Sequence, residues 1–155
     1  MMQVEIAIKA AEKDDVPALL ALYRQLNPAD PTIELQAAYE ILEKYNQSTA
    51  NAIFVGYKAD KLVTTCALVV VPNLTRGGAS YALIENVVTD ASERKRSYGN
   101  LILRAAISRA WQFNCYKVML LTGSKRPETL AFYRGVGFEQ NKAGFQIRRP
   151  ESTDF

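Results

Sequence analysis

The sequence predicts a mixed α+β fold in one domain spanning residues 1–155. Three observations carry that expectation. The strand-like runs "NAIFVGYK", "KLVTTCALVVV" and "SYALIENVVT" follow one another through short connections, as an antiparallel meander requires. A helical stretch from Ser97 then separates the last of them from "YKVMLLT", which makes a right-handed β-α-β crossover. At 155 residues, one domain can bury about two-thirds of its unfolded surface.

Each element has its own local reason. "VEIAIKA" alternates apolar and polar residues, the period of a strand. Asp14 and Asp15 are good caps and Pro17 suits a first turn, so a helix follows through "ALLALYRQL". "NPADP" breaks that helix, and Thr32 is placed to cap a second one through "IELQAAYEILEKY". The meander comes next, with a short turn around Asp60 and a Pro/Gly loop at "PNLTRGG". In the helix from Ser97, Leu101, Ile102, Ala105, Ala106 and Phe113 form one apolar stripe, with Trp111 off it. "RPETLAFYRGV" reads as a helix ended by Gly137, and "GFQIRR" as a last strand.

Composition narrows the chemistry. With 19 basic and 16 acidic residues the net charge is +3, far from a tail built to wrap nucleic acid. There is no histidine, which excludes Ser-His-Asp and Cys-His catalysis and the common zinc sites, so no metal is expected. Proton transfer falls to carboxylates, lysines, tyrosines or water. Cys66 and Cys115 read as reduced, buried thiols. The start "MMQVEIAIKAAEKDD" lacks an apolar signal core, and no run approaches the roughly 18 residues of a membrane span. A cytoplasmic protein without a membrane partner is the expectation.

One short segment carries functional information. "VVTDASERKRSYGNLIL" leads from a strand through Arg94, Lys95 and Arg96 into a helix start containing Ser97 and Gly99. A helix N-terminus exposes unpaired N–H groups and partial positive charge. Small residues there admit a ligand to the backbone, and adjacent cations make the turn a phosphate cradle. A solvated charge run is the competing reading of these residues alone.

The wider pattern resembles the GCN5-related N-acetyltransferase (GNAT) superfamily. Arg94-Lys95-Arg96-Ser97-Tyr98-Gly99 is similar to the [RQ]-x-x-G-x-[GA] loop that binds the acetyl-CoA pyrophosphate, with Ser97 in place of the first glycine. "TLAFYRGVGFE" resembles the family's A-x-x-[FL]-Y-x-x-x-G-F motif, through Phe132, Tyr133, Gly137 and Phe138, with Thr129 where alanine is usual. Arg126 stands where many members carry a cofactor-touching asparagine, so that contact is not carried over. The resemblance implies a central mixed sheet of six to seven strands flanked by about four helices. It implies acetyl-CoA as cosubstrate, bound by the backbone of Val87, Val88 and Thr89 and by the loop residues Arg94, Lys95, Arg96, Ser97, Tyr98, Gly99 and Asn100. It also implies a homodimer.

By the same resemblance Glu85 stands where the family often places a base, and Tyr133 where it places a general acid. An amine with a pKa near 10.4 is neutral in roughly one molecule per thousand at pH 7, so a carboxylate that takes its proton is useful. Burial of Glu85 in an apolar strand would tune it for that task. A solvent-facing or salt-bridged Glu85 and a merely packed Tyr133 are the structural alternatives. Direct attack by a primary amine, in a small-molecule acceptor, needs no side-chain nucleophile. "NPADPTIEL" and "VPNLTRGGAS" are the expected acceptor loops. A non-catalytic acyl-CoA-binding or sensing module is the alternative function.

Overall fold

The computed structural model describes residues 6–151. The chain is mixed α+β, and its backbone divides into two compact units, residues 1–120 and 121–155. The first unit contains, in order, β1 (Ala7–Ala10), α1 (Val16–Leu26), α2 (Leu35–Asn46), β2 (Ala52–Lys58), β3 (Lys61–Val71), β4 (Tyr81–Thr89), α3 (Tyr98–Gln112) and β5 (Val118–Leu120). The second contains α4 (Pro127–Val136). Val4 and Glu5, the start of the expected first strand, lie outside the described residues.

The sheet runs β1-β2-β3-β4-β5, antiparallel except for the β4–β5 pair. Every residue of β3 from Leu62 to Leu68 is buried, as a central strand covered on both faces must be. Leu19, Leu22, Ala38 and Leu42 of α1 and α2 join Val55, Ala67 and Val88 in one buried cluster. Successive strand side chains point to opposite faces, so Cys66 faces the other way. There its thiol donates to the Ile102 carbonyl of α3 at 3.7 Å. Helices therefore cover both faces, α1 and α2 on one and α3 on the other.

The face α3 buries is set by Tyr98, Ile102, Leu103, Ala106 and Ala110. This corrects the expected stripe: Leu103 takes the place given to Leu101, which is 43% exposed. Trp111 is 53% exposed, consistent with its position off the stripe. Fully burying Ile102 and Leu103 stabilises by about 1.5–3 kcal/mol each. Glu34, not Thr32, immediately precedes α2, and its side chain makes no cap bond.

Two irregularities of β4 position the site. Thr65 pairs with Val88 and Ala67 with Glu85, so β4 carries one residue more than β3 between those pairs. Asn86 sits in this bulge at φ 54°, a left-handed angle that asparagine tolerates better than most side chains. In addition, β5 pairs only with Ala82, Leu83 and Ile84. From Glu85 to Thr89 the β5-facing edge of β4 has no strand partner among the described residues.

In the second unit, Pro127 opens α4 and Gly137, at φ 120°, follows its end, as the sequence predicts. The ring of Tyr133 lies 5.0 Å from that of Phe132 and meets Phe138 edge-on at 6.2 Å. "GFQIRR" forms no strand, which corrects the expected sixth strand and leaves five strands in the sheet among the described residues, not six to seven. A strand exists only where a ladder partner meets it, and period-two alternation alone does not supply one. Phe145 and Ile147 are 94% and 97% exposed.

Candidate active site

The turn after β4 is built by its acids. Asp90 accepts from the Ser92 N–H at 2.9 Å and the Ser92 hydroxyl at 2.6 Å. Gln25 of α1 clamps the same turn from outside, donating to Asp90 at 3.0 Å and accepting from the Ala91 N–H at 2.8 Å. The bonds from Ser92 and Gln25 hold the Asp90 carboxyl well below the usual range. Glu93 ties the far side of the turn to Lys58, whose Nζ lies 3.1 Å away, and to Arg96 at 3.5 Å. Arg94 folds back, its Nε donating to the Thr89 carbonyl at 3.2 Å.

Beyond these tethers the backbone opens. Lys95 and Ser97 both adopt left-handed angles, φ 64° and 66°. Ser97 is the N-cap of α3, yet its hydroxyl makes no capping bond. The first helical bond runs from the Leu101 N–H to the Ser97 carbonyl at 3.1 Å. The N–H groups of residues 95–100 find no acceptor among the described residues. Their dipoles and the helix end create partial positive charge, supplemented by three cations. Asn100 adds an acceptor: its Oδ1 is buried with no hydrogen-bond partner.

Of the strand residues, Val88 is buried and Val87 and Thr89 are half-buried. Thr89 Oγ1 pairs with Thr64 Oγ1 at 2.9 Å. Glu85 and Asn86 are exposed at the bulge, where the free edge of β4 begins. The expected burial of Glu85 is therefore not found. Glu85 keeps the regular alternation of β4, exposed like Leu83 and on the side of the strand opposite buried Ala82 and Ile84.

Comparison with known proteins settles the family. Residues 19–138 match the model of the Acetyltransferase (GNAT) family. The chain belongs to the GNAT family of acetyltransferases. A solved structure from Agrobacterium tumefaciens str. C58, assigned as an acetyltransferase, is 48% identical and superposes with a TM-score of 0.87, over 93% of this chain and 100% of that one. A glucosamine 6-phosphate N-acetyltransferase of Trypanosoma brucei brucei is 26% identical over 144 residues, covering 93% of this chain and 96% of that protein. An aminoglycoside N-acetyltransferase solved in complex with CoA shares the fold, with a TM-score of 0.79 at 16% identity, over 96% of this chain and 97% of that one.

The residues of this GNAT acetyltransferase suit a CoA diphosphate. Anionic oxygens need donors, and six consecutive N–H groups at residues 95–100 are bare and flanked by cations. A ligand donor would relieve the orphaned Asn100 Oδ1. The free β4 edge offers backbone groups of the kind that pair with amides. Glu85, Val87, Val88, Thr89 and residues 94–100 thus lie on one continuous strand–turn–helix segment. Tyr133 belongs to the second unit and is placed only within its aromatic cluster.

Both thiols are poor nucleophiles here. Burial pushes Cys66 up to about 12 and raises Cys115 as well. Neither cysteine is in a disulfide. No helix among the described residues is long and apolar enough to cross a membrane. Gln25, Lys58, Asp90 and Glu93 escaped the sequence reading. The Asp90-x-Ser92 spacing is a local turn signal, but Gln25 and Lys58 are distant in sequence and carried none.

Proposed function

We propose that this chain transfers the acetyl group of acetyl-CoA to the primary amine of a small-molecule acceptor, by direct attack within a ternary complex. The observation that carries the proposal is the run of unengaged N–H groups at residues 95–100, aimed by left-handed Lys95 and Ser97. Those groups with Arg94, Lys95 and Arg96 would hold the diphosphate, and the β4 edge at Val87, Val88 and Thr89 would hold the pantetheine amides. Bound acetyl-CoA supplies an activated thioester. Residues 1–155 work as one acetyltransferase domain in this reading, which the family match across residues 19–138 supports.

Glu85 is the base in this proposal. Its exposure at the bulge gives an incoming ammonium direct access to the carboxylate, and proton removal leaves the amine lone pair free. Tyr133, by family resemblance, protonates the departing thiolate. The buried, protonated Cys66 and Cys115 leave attack to the amine itself. Glucosamine 6-phosphate is the first acceptor to test, because a relative matching nearly the whole chain carries that name. Family resemblance extends the proposal to a cytoplasmic homodimer, checked by light scattering on the purified chain.

The test is thiol release from acetyl-CoA against a panel of amino sugars, polyamines, amino acids and aminoglycosides. Turnover with one class supports transfer. Saturable CoA binding without turnover on any amine would favour the sensing module, and absence of CoA binding would reject both.

A further inference from the structure

The three cations of the turn after β4 are not equally available to a ligand, and the role inferred for Glu93 rests on the proposed binding of acetyl-CoA. Lys95 makes no ion pair or hydrogen bond among the described residues. Arg94 is committed to the Thr89 carbonyl. Arg96 lies on Glu93, with Nε 3.5 Å from Oε2. Glu93 is itself fixed: its side chain is 12% exposed, and Lys58 of β2 donates to both of its oxygens, at 3.3 and 3.1 Å.

The two ion pairs of Glu93 differ in strength. Lys58 is half-buried and hydrogen-bonded to the carboxylate, so solvent screens that pair little. The Arg96 side chain is 54% exposed, and no hydrogen bond accompanies its contact among the described residues. An exposed pair of that length contributes little and breaks readily. Glu93 is therefore a fixed anion and Arg96 a movable cation. Arg96 directly precedes Ser97, so an arm that leaves Glu93 is rooted among the bare N–H groups of residues 95–100.

We propose that Glu93 is a specificity-determining residue of the cofactor cradle: its carboxylate holds Arg96 and gives it up only to a diphosphate. Two linked anionic groups allow one to sit on the N–H groups while the second draws the guanidinium away from Glu93. A single phosphate on the N–H groups has no second group to offer, and Arg96 stays where it is. Apparent affinity falls by the fraction of molecules in which a required group is engaged elsewhere. The same contact thus weakens diphosphate binding and keeps simpler anions from using Arg96.

The experiment follows the Arg96 side-chain 15Nε signal in the full chain, identified by its loss in R96Q. Pyrophosphate and CoA are expected to move it, and inorganic phosphate at the same concentration to move it about a quarter as far or less. In E93Q, which keeps an oxygen for Lys58, phosphate and pyrophosphate should both move it. By calorimetry, E93Q should bind CoA about three- to tenfold more tightly than wild type, and R96Q several-fold more weakly. In the R96Q background, E93Q should change CoA affinity by less than about twofold, because the cation that Glu93 withholds is gone. An E93Q affinity at or below that of wild type, or the same gain with and without Arg96, overturns the assignment. So does a wild-type Arg96 signal that pyrophosphate leaves unmoved or that phosphate moves equally, a result independent of how the variants fold. If the wild-type chain binds no CoA, the cofactor reading fails, while the response of Arg96 to pyrophosphate still decides whether Glu93 yields its partner.

Discussion

Replacing Ser97 tests whether backbone geometry, rather than charge alone, makes the cradle. Ser97 holds φ 66°, where a non-glycine residue is strained by about 1–2 kcal/mol. Valine, branched at Cβ, fits that region worse than serine, so S97V should rotate the turn and misdirect the N–H groups of Tyr98 and Gly99. A hydrogen bond to a charged group contributes about 1.5–3 kcal/mol, so losing one or two weakens CoA binding about tenfold to ten-thousandfold. Glycine relieves the left-handed strain and gives back about 0.5–1 kcal/mol in chain entropy, so S97G should bind CoA within about twofold of wild type. Isothermal calorimetry with CoA and scanning calorimetry on both variants read these effects. S97V should also melt about 2–4 °C lower. Wild-type affinity in S97V would refute the argument, and lost affinity in S97G would transfer the role from backbone to hydroxyl.

Other perturbations probe separate parts of the account. E85Q and Y133F should each cut thiol release about a hundredfold while CoA affinity stays within twofold, as expected of proton-transfer groups. Asp90→Ala frees Ser92 and Gln25 and should weaken CoA binding about fivefold with a small loss of stability, measured by calorimetry and denaturant melts. Asp15 is buried at 5% exposure and accepts from the Tyr57 hydroxyl at 2.6 Å, the Glu12 N–H at 2.7 Å and Lys9 at 2.9 Å. Losing that carboxylate in D15A should cost about 2–4 kcal/mol in a urea melt near neutrality. Burial works to raise the Asp15 carboxyl, but the Tyr57, Glu12 and Lys9 bonds outweigh it and lower it overall. A lowered folded value means its stability is present above the unfolded carboxylate range and lost as pH falls through the folded one. The gap between D15A and wild type should therefore shrink in acid, and a gap that widens there would contradict the sign.

Local signals made most of the fold legible. Alternation and turn residues placed β2, β3 and β4, and Pro127 and Gly137 bracketed α4 to within a residue. The missing strand shows the limit: "GFQIRR" alternates like an edge strand, but pairing is a property of two segments. The α3 stripe slipped from Leu101 to Leu103 because tertiary contacts with β3 choose the buried face, and Leu101, Ile102 and Leu103 are all apolar. At the site, the basic turn and small residues were visible in sequence. The bulge at Asn86 was not, since register between β3 and β4 decides where an extra residue sits. Glu85 is exposed in step with Leu83, on the side of β4 opposite buried Ala82 and Ile84. Gln25 and Lys58 reach the loop from remote elements, a relation that no local window contains.

The central claim is that the bare amides at the start of α3 bind the diphosphate of CoA. Isothermal titration of the wild-type chain with CoA, and with pantetheine as the phosphate-free control, tests it directly at low and moderate ionic strength. The account predicts saturable one-to-one binding of CoA that weakens with added salt, and at least a hundredfold weaker binding of pantetheine. Equal affinity for the two, or no saturation with CoA at low salt, would contradict it.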